Sequence, residues 1–321
     1  MAFFVLAPFI IIALVANLTE SNRQFRWITV SLLVLSNLVV LGACLTVLLM
    51  GFAYDLSEVP LNLLPVEPRW GTTAAILGLT GLIGFVPLHT GARRLLARWL
   101  KIDIHSAVHT TALVFAVYLV GLTLSQLPLL GGLEGLENLD IALGPLELWM
   151  QSLAILLIGV TGVGLGLRRD VRETAARLGL RRPPWVAWVG IVGLVILMEA
   201  LDFGVAAIWQ ALDPDTYERI GRISEALFAG FMSPWGALAV GMAAGLSEET
   251  LFRGALQPRF GILLTSLLFA VSHVQYSFSP ATLLIFVMGL ILGWVRKRWG
   301  LMAAIILHAL YNTVNLLLAS L

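Results

Sequence analysis

The chain has 321 residues, of which 59% are hydrophobic and only 12% charged, with 30 glycines besides, and its mean hydropathy is +0.92. A soluble domain carries about 25% charged residues, and a globule of 34.8 kDa has too little interior to hide this much apolar surface. Disorder, a collagen-like chain, a disulfide scaffold and a nucleic-acid-binding domain are excluded by the same arithmetic, and the lone Cys44 has no partner for an internal disulfide.

Apolar runs recur along the whole chain and predict helices at about 2–18, 27–52, 71–89, 104–130, 146–167, 185–209, 227–256, 261–279, 280–298 and 300–319. Each is close to the ~20 residues that cross about 30 Å of hydrocarbon. Strands of a membrane barrel would be shorter and would alternate. The expected fold is therefore all-α, a polytopic transmembrane helical bundle of about ten helices. The first run lacks a basic leader and a small-residue cleavage site, so it is read as a helix that is kept.

The loops alternate in charge. Arg23 and Arg26 follow the first run, and Arg93, Arg94, Arg98 and Lys101 follow the third. Six arginines between Arg168 and Arg182 follow the fifth, Arg259 follows the seventh, and Arg296, Lys297 and Arg298 follow the ninth. The intervening loops carry Asp55, Glu58 and Glu67, then Glu134, Glu137, Asp140 and Glu147, then Asp213, Asp215 and Glu218, with only Arg69, Arg219 and Arg222 against them. Sixteen lysines and arginines thus fall on one side and three on the other. The positive-inside rule places the basic loops in the cytoplasm, which predicts a multi-pass cell-membrane protein with both termini outside.

The basic stretch 168–184 has Val171, Ala175 and Leu178 at helical spacing and stops at Pro183 and Pro184. It is read either as an interfacial amphipathic helix on anionic lipid or as a charged linker. It also marks a boundary, which divides the chain into four N-terminal helices over 1–145 and a C-terminal region over 146–321.

Ionisable groups inside spans are expensive and usually pair, line a cavity or do chemistry. The seventh span contains Glu248, Glu249 and Arg253, the eighth His273, and the tenth His308 and Asn312. Glu249 and Arg253 are four apart and share a helix face, as do His308 and Asn312. Glu248 points about 100° away from Glu249. Ser247 and Ser272 adjoin these clusters, but neither sits in an evidently activated arrangement. Attack by water suits the set better. A desolvated Glu248 can act as general base and His273 can hold the same water. His308 and Asn312 can donate to a developing oxyanion, while the Glu249–Arg253 pair supports them. The residues alone leave other readings open. One glutamate and two histidines could ligate zinc, the whole set could be interhelical glue, and paired carboxylates and histidines also serve transporters.

Other polar positions are weaker signals. His105 and His109 suggest polar packing near an interface, and Glu199 and Asp202 share one side of the sixth span, facing either the cavity or Arg219 and Arg222. Gly241 and Gly245, and Gly289 and Gly293, are spaced for close helix approach. Trp70, Trp99, Trp185, Trp209 and Trp299 fall where an aromatic belt belongs.

The order Glu248-Glu249-x-x-x-Arg253, Phe269-x-x-x-His273, His308-x-x-x-Asn312, each part in its own apolar run, resembles the signature of the CPBP family of intramembrane glutamic endopeptidases. That family includes the CAAX prenyl proteases and the bacterial Abi proteins. The resemblance covers about 220–321, within a protease core expected over 146–321, and leaves the first four helices as an extension. It implies a peptidase in which Glu248 and His273 activate water, His308 and Asn312 form the oxyanion hole, and Glu249 and Arg253 support the site. It implies neither metal nor other cofactor, and a substrate that is a membrane-associated protein or peptide, prenylated in the eukaryotic branch. Some members serve as non-catalytic immunity or scaffold proteins, so that alternative stands beside transport and metal-dependent hydrolysis. No nucleic acid is expected as a partner. By helix rise, His308 lies around 12 Å and His273 about 18 Å from the inner ends of their spans, so the expected site is a cavity within the bilayer, open toward the cytoplasm.

Overall fold

The computed structural model describes residues 2–56, 66–139 and 141–320; Glu58 and Asp140, counted above among the acidic loop residues, lie outside them. Fourteen α-helices follow one another among the described residues, with no strand. The N-terminal group is α1 (Ala2–Ser21), α2 (Arg26–Leu56), α3 (Trp70–Ile83), α4 (Thr90–Leu96) and α5 (Ala107–Leu129). The short α6 (Leu133–Glu137) leads to α7 (Pro145–Gly162), α8 (Val171–Leu178), α9 (Trp185–Leu212) and α10 (Pro214–Phe228). The C-terminal group is α11 (Pro234–Glu249), α12 (Gln257–Val271), α13 (Pro280–Trp299) and α14 (Leu301–Ala319), with one wide π-helical turn, Thr250–Leu256, joining α11 to α12.

Among the described residues, eight helical stretches are long and apolar enough to cross a membrane, and α1 contributes a shorter apolar helix, Leu6–Ser21. The chain is a multi-pass membrane protein. The longest stretch, Pro234–Val271, holds two of the ten expected runs. It is broken at Gly261, whose φ of 79° and ψ of 171° are open to glycine and strained for any other residue. Glu248 and His273 show what this break does. An unbroken helix would hold them roughly 35–40 Å apart, yet their side chains lie 4.0 Å apart. The chain therefore folds back at Gly261. The returning limb is shorter than expected, because the helix ends at Val271 and not near 279. His273 sits beyond that end, in a turn that precedes the short 3-10 segment Val274–Tyr276.

Helix starts follow local chemistry. Proline opens α7, α10, α11 and α13, where its missing N–H costs nothing. Ser106 caps α5 by accepting from the His109 N–H, and Ser233 caps α11 by accepting from the Gly236 N–H. His109 in turn accepts the Asp103 N–H on Nδ1, so His105 and His109 belong to a polar turn at a helix start. Asp170 and Glu173 form a reciprocal cap at the start of α8, which ends at left-handed Gly179. The buried face of α8 is Thr174 and Leu178, while Val171 is exposed. Leu178 packs against Leu301, so this helix is docked on the bundle rather than presenting a Val171–Ala175–Leu178 face to lipid.

Polar links tie the N-terminal helices to the rest. Asn17 of α1 donates to the Thr161 carbonyl of α7 at 2.8 Å and accepts from Arg168 Nε at 2.8 Å. Between α2 and α5, the Tyr118 hydroxyl donates to Asn37 Oδ1 at 2.8 Å. Outside the spans, Glu137 of α6 takes both Arg219 and Arg222 of α10, at 3.0 and 2.7 Å. Those arginines do not reach Glu199 and Asp202, which share the Asn315 amide of α14 at 3.3 and 2.8 Å. Trp209 and Trp299 are buried within the bundle and so pack rather than belong to the interfacial belt; Trp99 and Trp185 are exposed, as expected.

The α11–α14 contact sets the C-terminal architecture. A Cβ at Gly241 would lie 2.3 Å from the Ala309 carbonyl oxygen, and one at Gly245 would lie 2.8 Å from that of Ile305. The two backbones touch, antiparallel, with no room for a side chain. Replacing Gly241 by leucine forces them apart. The expected cost is about 1–3 kcal/mol, read as a lowered thermal midpoint in detergent, and an unchanged midpoint would contradict the contact. At the α6–α10 clamp, Arg222 and then Arg219 hold the Glu137 carboxyl below its ordinary range. A depressed carboxylate stabilises above its unfolded value, and that contribution is lost as pH falls through the folded one. Amide exchange in α10 should therefore accelerate on acidification below the usual carboxylate range, and Glu137→Gln should remove that dependence.

Candidate active site

The close α11–α14 approach places Glu249 against His308. Both are buried, Glu249 at 0% exposure and His308 at 4%. His308 Nδ1–H donates to Glu249 Oε1 at 3.0 Å, while Arg253 Nε lies 3.2 Å from Glu249 Oε2. One carboxylate thus bridges a guanidinium on its own helical stretch and an imidazole on α14. Arg253 is fully buried, and its guanidinium carbon sits 4.7 Å over the ring of Phe269. Its Nη1 and Nη2 have no hydrogen-bond partner among the described residues. A buried charge of this kind persists because its counter-charge is fixed beside it.

Glu248 points elsewhere, as its 100° offset requires. Its Oε2 lies 4.0 Å from His273 Nε2, and both side chains are about one-fifth exposed, at 23% and 20%. The orientation of His273 comes from the end of α12. A helix terminus leaves its last carbonyls without helical partners, and at membrane depth each needs one. The Phe269 carbonyl accepts His273 Nδ1–H at 2.8 Å and the Ser272 hydroxyl at 2.7 Å. With its proton on Nδ1, His273 presents a bare Nε2 toward Glu248. A separation of 4.0 Å is too long for a direct hydrogen bond and suits two acceptors that share one water molecule.

Asn312 lies one helical turn beyond His308 on α14, and no hydrogen bond commits its amide among the described residues. Glu248, His273, His308 and Asn312 all line one cavity of about 1160 Å³. Glu249 and Arg253 stand behind its wall. All six residues expected from the sequence are therefore in one place, four on the cavity and two supporting it. The serines are accounted for by their own helices, since Ser247 donates to the Ala243 carbonyl at 2.7 Å and Ser272 to that of Phe269. Among the described residues, no group of three or more His, Cys, Asp and Glu is arranged to hold a metal ion.

Two contributors carry little or no sequence signal. Phe269 was legible only as the residue four before His273. In the fold its ring meets Phe252, His273 and His308 edge-on, at centroid distances of 5.4, 4.8 and 5.7 Å. It is the apolar floor on which the two histidines and Arg253 rest. The π-helical turn Thr250–Leu256 follows the glutamates directly and contains Arg253. Such turns often occur at functional sites. The Gly254 and Ala255 carbonyls within it accept from Arg177, at 3.3 and 3.5 Å.

Removing one member of the buried trio should cost more than removing two. Glu249→Gln leaves Arg253 uncompensated, with an expected loss of about 3–5 kcal/mol. Glu249→Gln combined with Arg253→Met should recover much of that loss in a double-mutant cycle read by thermal unfolding. Additive losses would show that the bridge does not couple the two.

Residues 230–314 match the family model described as type II CAAX prenyl endopeptidase Rce1-like. A protein of Escherichia coli, named as an uncharacterized 24.3 kDa protein, is 37% identical over 143 residues, or 40% of this chain. The match spans 64% of that relative's length. No solved structure matches.

Proposed function

We propose that this chain is an intramembrane endopeptidase that hydrolyses its substrate with a water activated by Glu248 and His273, without a metal, a reading supported by the match of residues 230–314 to the Rce1-like type II CAAX prenyl endopeptidase model. The observation that carries the reading is the 4.0 Å gap between Glu248 Oε2 and His273 Nε2 on a cavity that His308 and Asn312 also line.

The chemistry follows from those positions. Water held between Glu248 and His273 attacks the scissile carbonyl, and Glu248 takes its proton as the C–O bond forms. The carbonyl oxygen becomes an oxyanion. It accepts from the Asn312 amide and from Nε2–H of a doubly protonated His308, whose Nδ1–H is already engaged by Glu249. Collapse breaks the C–N bond, and Glu248 returns its proton to the departing amine. The products are a carboxylic acid and an amine, which ionise to a carboxylate and an ammonium, with no covalent enzyme intermediate. Glu249 and Arg253 are positioning residues in this scheme, since neither lines the cavity.

The substrate is a membrane-associated protein or peptide, because the cavity is built between spans. The protease core is 146–321, and the helices of 1–145 are an extension, of which α1 packs on α7 and α5 on α12. The charge distribution of the loops supports a cell-membrane location with the arginine-bearing end of the cavity toward the cytoplasm and both termini on the other side.

The test uses purified protein in nanodiscs, a library of membrane and lipidated peptides, and mass spectrometry of the products with a chelator present. Glu248→Gln should lower the rate by about 10²–10⁴. Asn312→Ala should lower kcat by about 10²–10³ while leaving KM nearly unchanged. Cleavage abolished by the chelator and restored by zinc would replace this mechanism with metal-assisted hydrolysis. Full activity in Glu248→Gln would remove Glu248 from the reaction.

A further inference from the structure

Five basic side chains gather where three spans end: Arg181 and Arg182, which follow α8, and Arg296, Lys297 and Arg298, at the close of α13. The span of α9 opens at Trp185, that of α13 closes at Trp299, and that of α14 opens at Leu301. None of the five lines the catalytic cavity. Among the described residues none of them forms an ion pair. The carboxylates closest in sequence to Arg181, Asp170 and Glu173, are engaged by the cap at the other end of α8.

The backbone brings two of these arginines together. Gly179 ends α8 and Gly300 separates α13 from α14, both at positive φ. The Leu301 N–H donates to the Gly179 carbonyl at 2.9 Å, which joins the two turns. Each turn then receives a guanidinium from the other. Arg296 Nη2 donates to the Leu178 carbonyl at 3.5 Å, and Arg181 Nη2 to the Arg298 carbonyl at 3.0 Å. A Cβ at Gly179 would lie 3.4 Å from Arg296 Nη2, so that glycine leaves the guanidinium its place. Both arginines are thus oriented by neutral carbonyls and keep their charge uncompensated. Arg296 Nε is buried with no hydrogen-bond partner among the described residues. The crowding extends to Arg177 on α8, which burial and then the charges of Arg259, Arg169, Arg296 and Arg168 push down to about 10.

Positive groups held together without a counter-charge attract an anion. Two observations make a phospholipid its source. The group stands where α9, α13 and α14 leave the hydrocarbon, which is the depth of the headgroups. Trp185 and Trp188 at the start of α9 and Trp294 near the end of α13 are exposed, and such rings belong at that depth. A guanidinium matches the paired oxygens of a phosphodiester. A zwitterionic headgroup would also bring an ammonium among arginines that have no carboxylate to receive it, so the fit is to a lipid of net negative charge.

We propose that Arg181 and Arg296 form a binding site for the phosphodiester of an anionic phospholipid, ringed by Arg182, Lys297 and Arg298. The site is separate from the catalytic cavity, and the inference does not depend on the peptidase reading. A bound phosphate relieves the repulsion between the α8 segment and the end of α13. It thereby holds α8 in its seat beside the π-helical turn, where Arg177 meets the Gly254 and Ala255 carbonyls.

The test uses the full-length protein, depleted of lipid in detergent and titrated with phosphatidylglycerol or phosphatidylcholine, with bound lipid read by native mass spectrometry. The wild type should bind phosphatidylglycerol about tenfold more tightly than phosphatidylcholine. Arg181→Gln combined with Arg296→Gln should cut that preference several-fold. Arg23→Gln combined with Arg94→Gln removes the same charge from exposed residues near the ends of other spans and should leave the preference intact. A wild-type thermal midpoint in phosphatidylcholine reports that the first pair is folded. Arg181 is exposed, so Arg181→Gln alone carries the same test if the pair does not fold. Equal affinity for the two lipids overturns the proposal. Equal losses in the two pairs overturn it as well, because the attraction then belongs to overall charge. Displacement of phosphatidylglycerol by inorganic phosphate would give the site to a soluble anion and overturn the lipid assignment.

Discussion

The carboxylate of Glu249 is the constraint on which the C-terminal bundle depends. It is fully buried, and it holds Arg253 on one oxygen and His308 on the other. Each contact satisfies a different need. Arg253 supplies the counter-charge without which an ionised carboxylate at this depth would be prohibitive. His308 receives a fixed ring plane and a carboxylate partner for its Nδ1–H, a partner that favours the doubly protonated ring. The glycines of α11 make the bridge short enough, because only a backbone-to-backbone approach brings α14 within hydrogen-bonding range of a glutamate.

Two backbone irregularities then finish the cavity. The fold-back at Gly261 returns the chain so that His273 meets Glu248, and the early end of α12 supplies the Phe269 carbonyl that turns the imidazole. Regular helices alone could do neither. A continuous helix would carry His273 out of the bilayer altogether, and a helix that ran on to 279 would spend the Phe269 carbonyl on its own backbone.

Membrane class, the apolar runs and the six residues that gather at the candidate site stand out in the sequence, and for a physical reason. Hydropathy adds up locally, and a charge in an apolar run stands out against its neighbours. What depended on tertiary contact was not legible. Apolar Val274 and Phe278 extend the expected run past Val271, although Ser272, His273, Gln275, Ser277 and Ser279 already dilute it there. Glu249 was read as the partner of Arg253 because four-residue spacing is visible, whereas its bond to His308 spans 59 positions. Arg219 and Arg222 could not be assigned to Glu137 across some eighty residues, nor Leu178 to its seat beside Leu301. Trp209 and Trp299 occupy belt positions by count, yet they are turned inward by packing that a single sequence does not display.

The wide turn at Thr250–Leu256 bears on how such a chain can change over generations. A π-helical turn closes its hydrogen bonds one residue further along than an α-turn, so every side chain after it is rotated from the phase that an unbroken α-helix would give. Dropping a single residue from the stretch while the wide turn is kept would swing whatever follows by about 100°, carrying Gln257 and Arg259 off their neighbours without altering one functional group. Length is therefore as constrained as chemistry between the glutamates and Gly261. Point substitutions in this stretch are filtered by what each side chain touches, but insertions and deletions are filtered by phase.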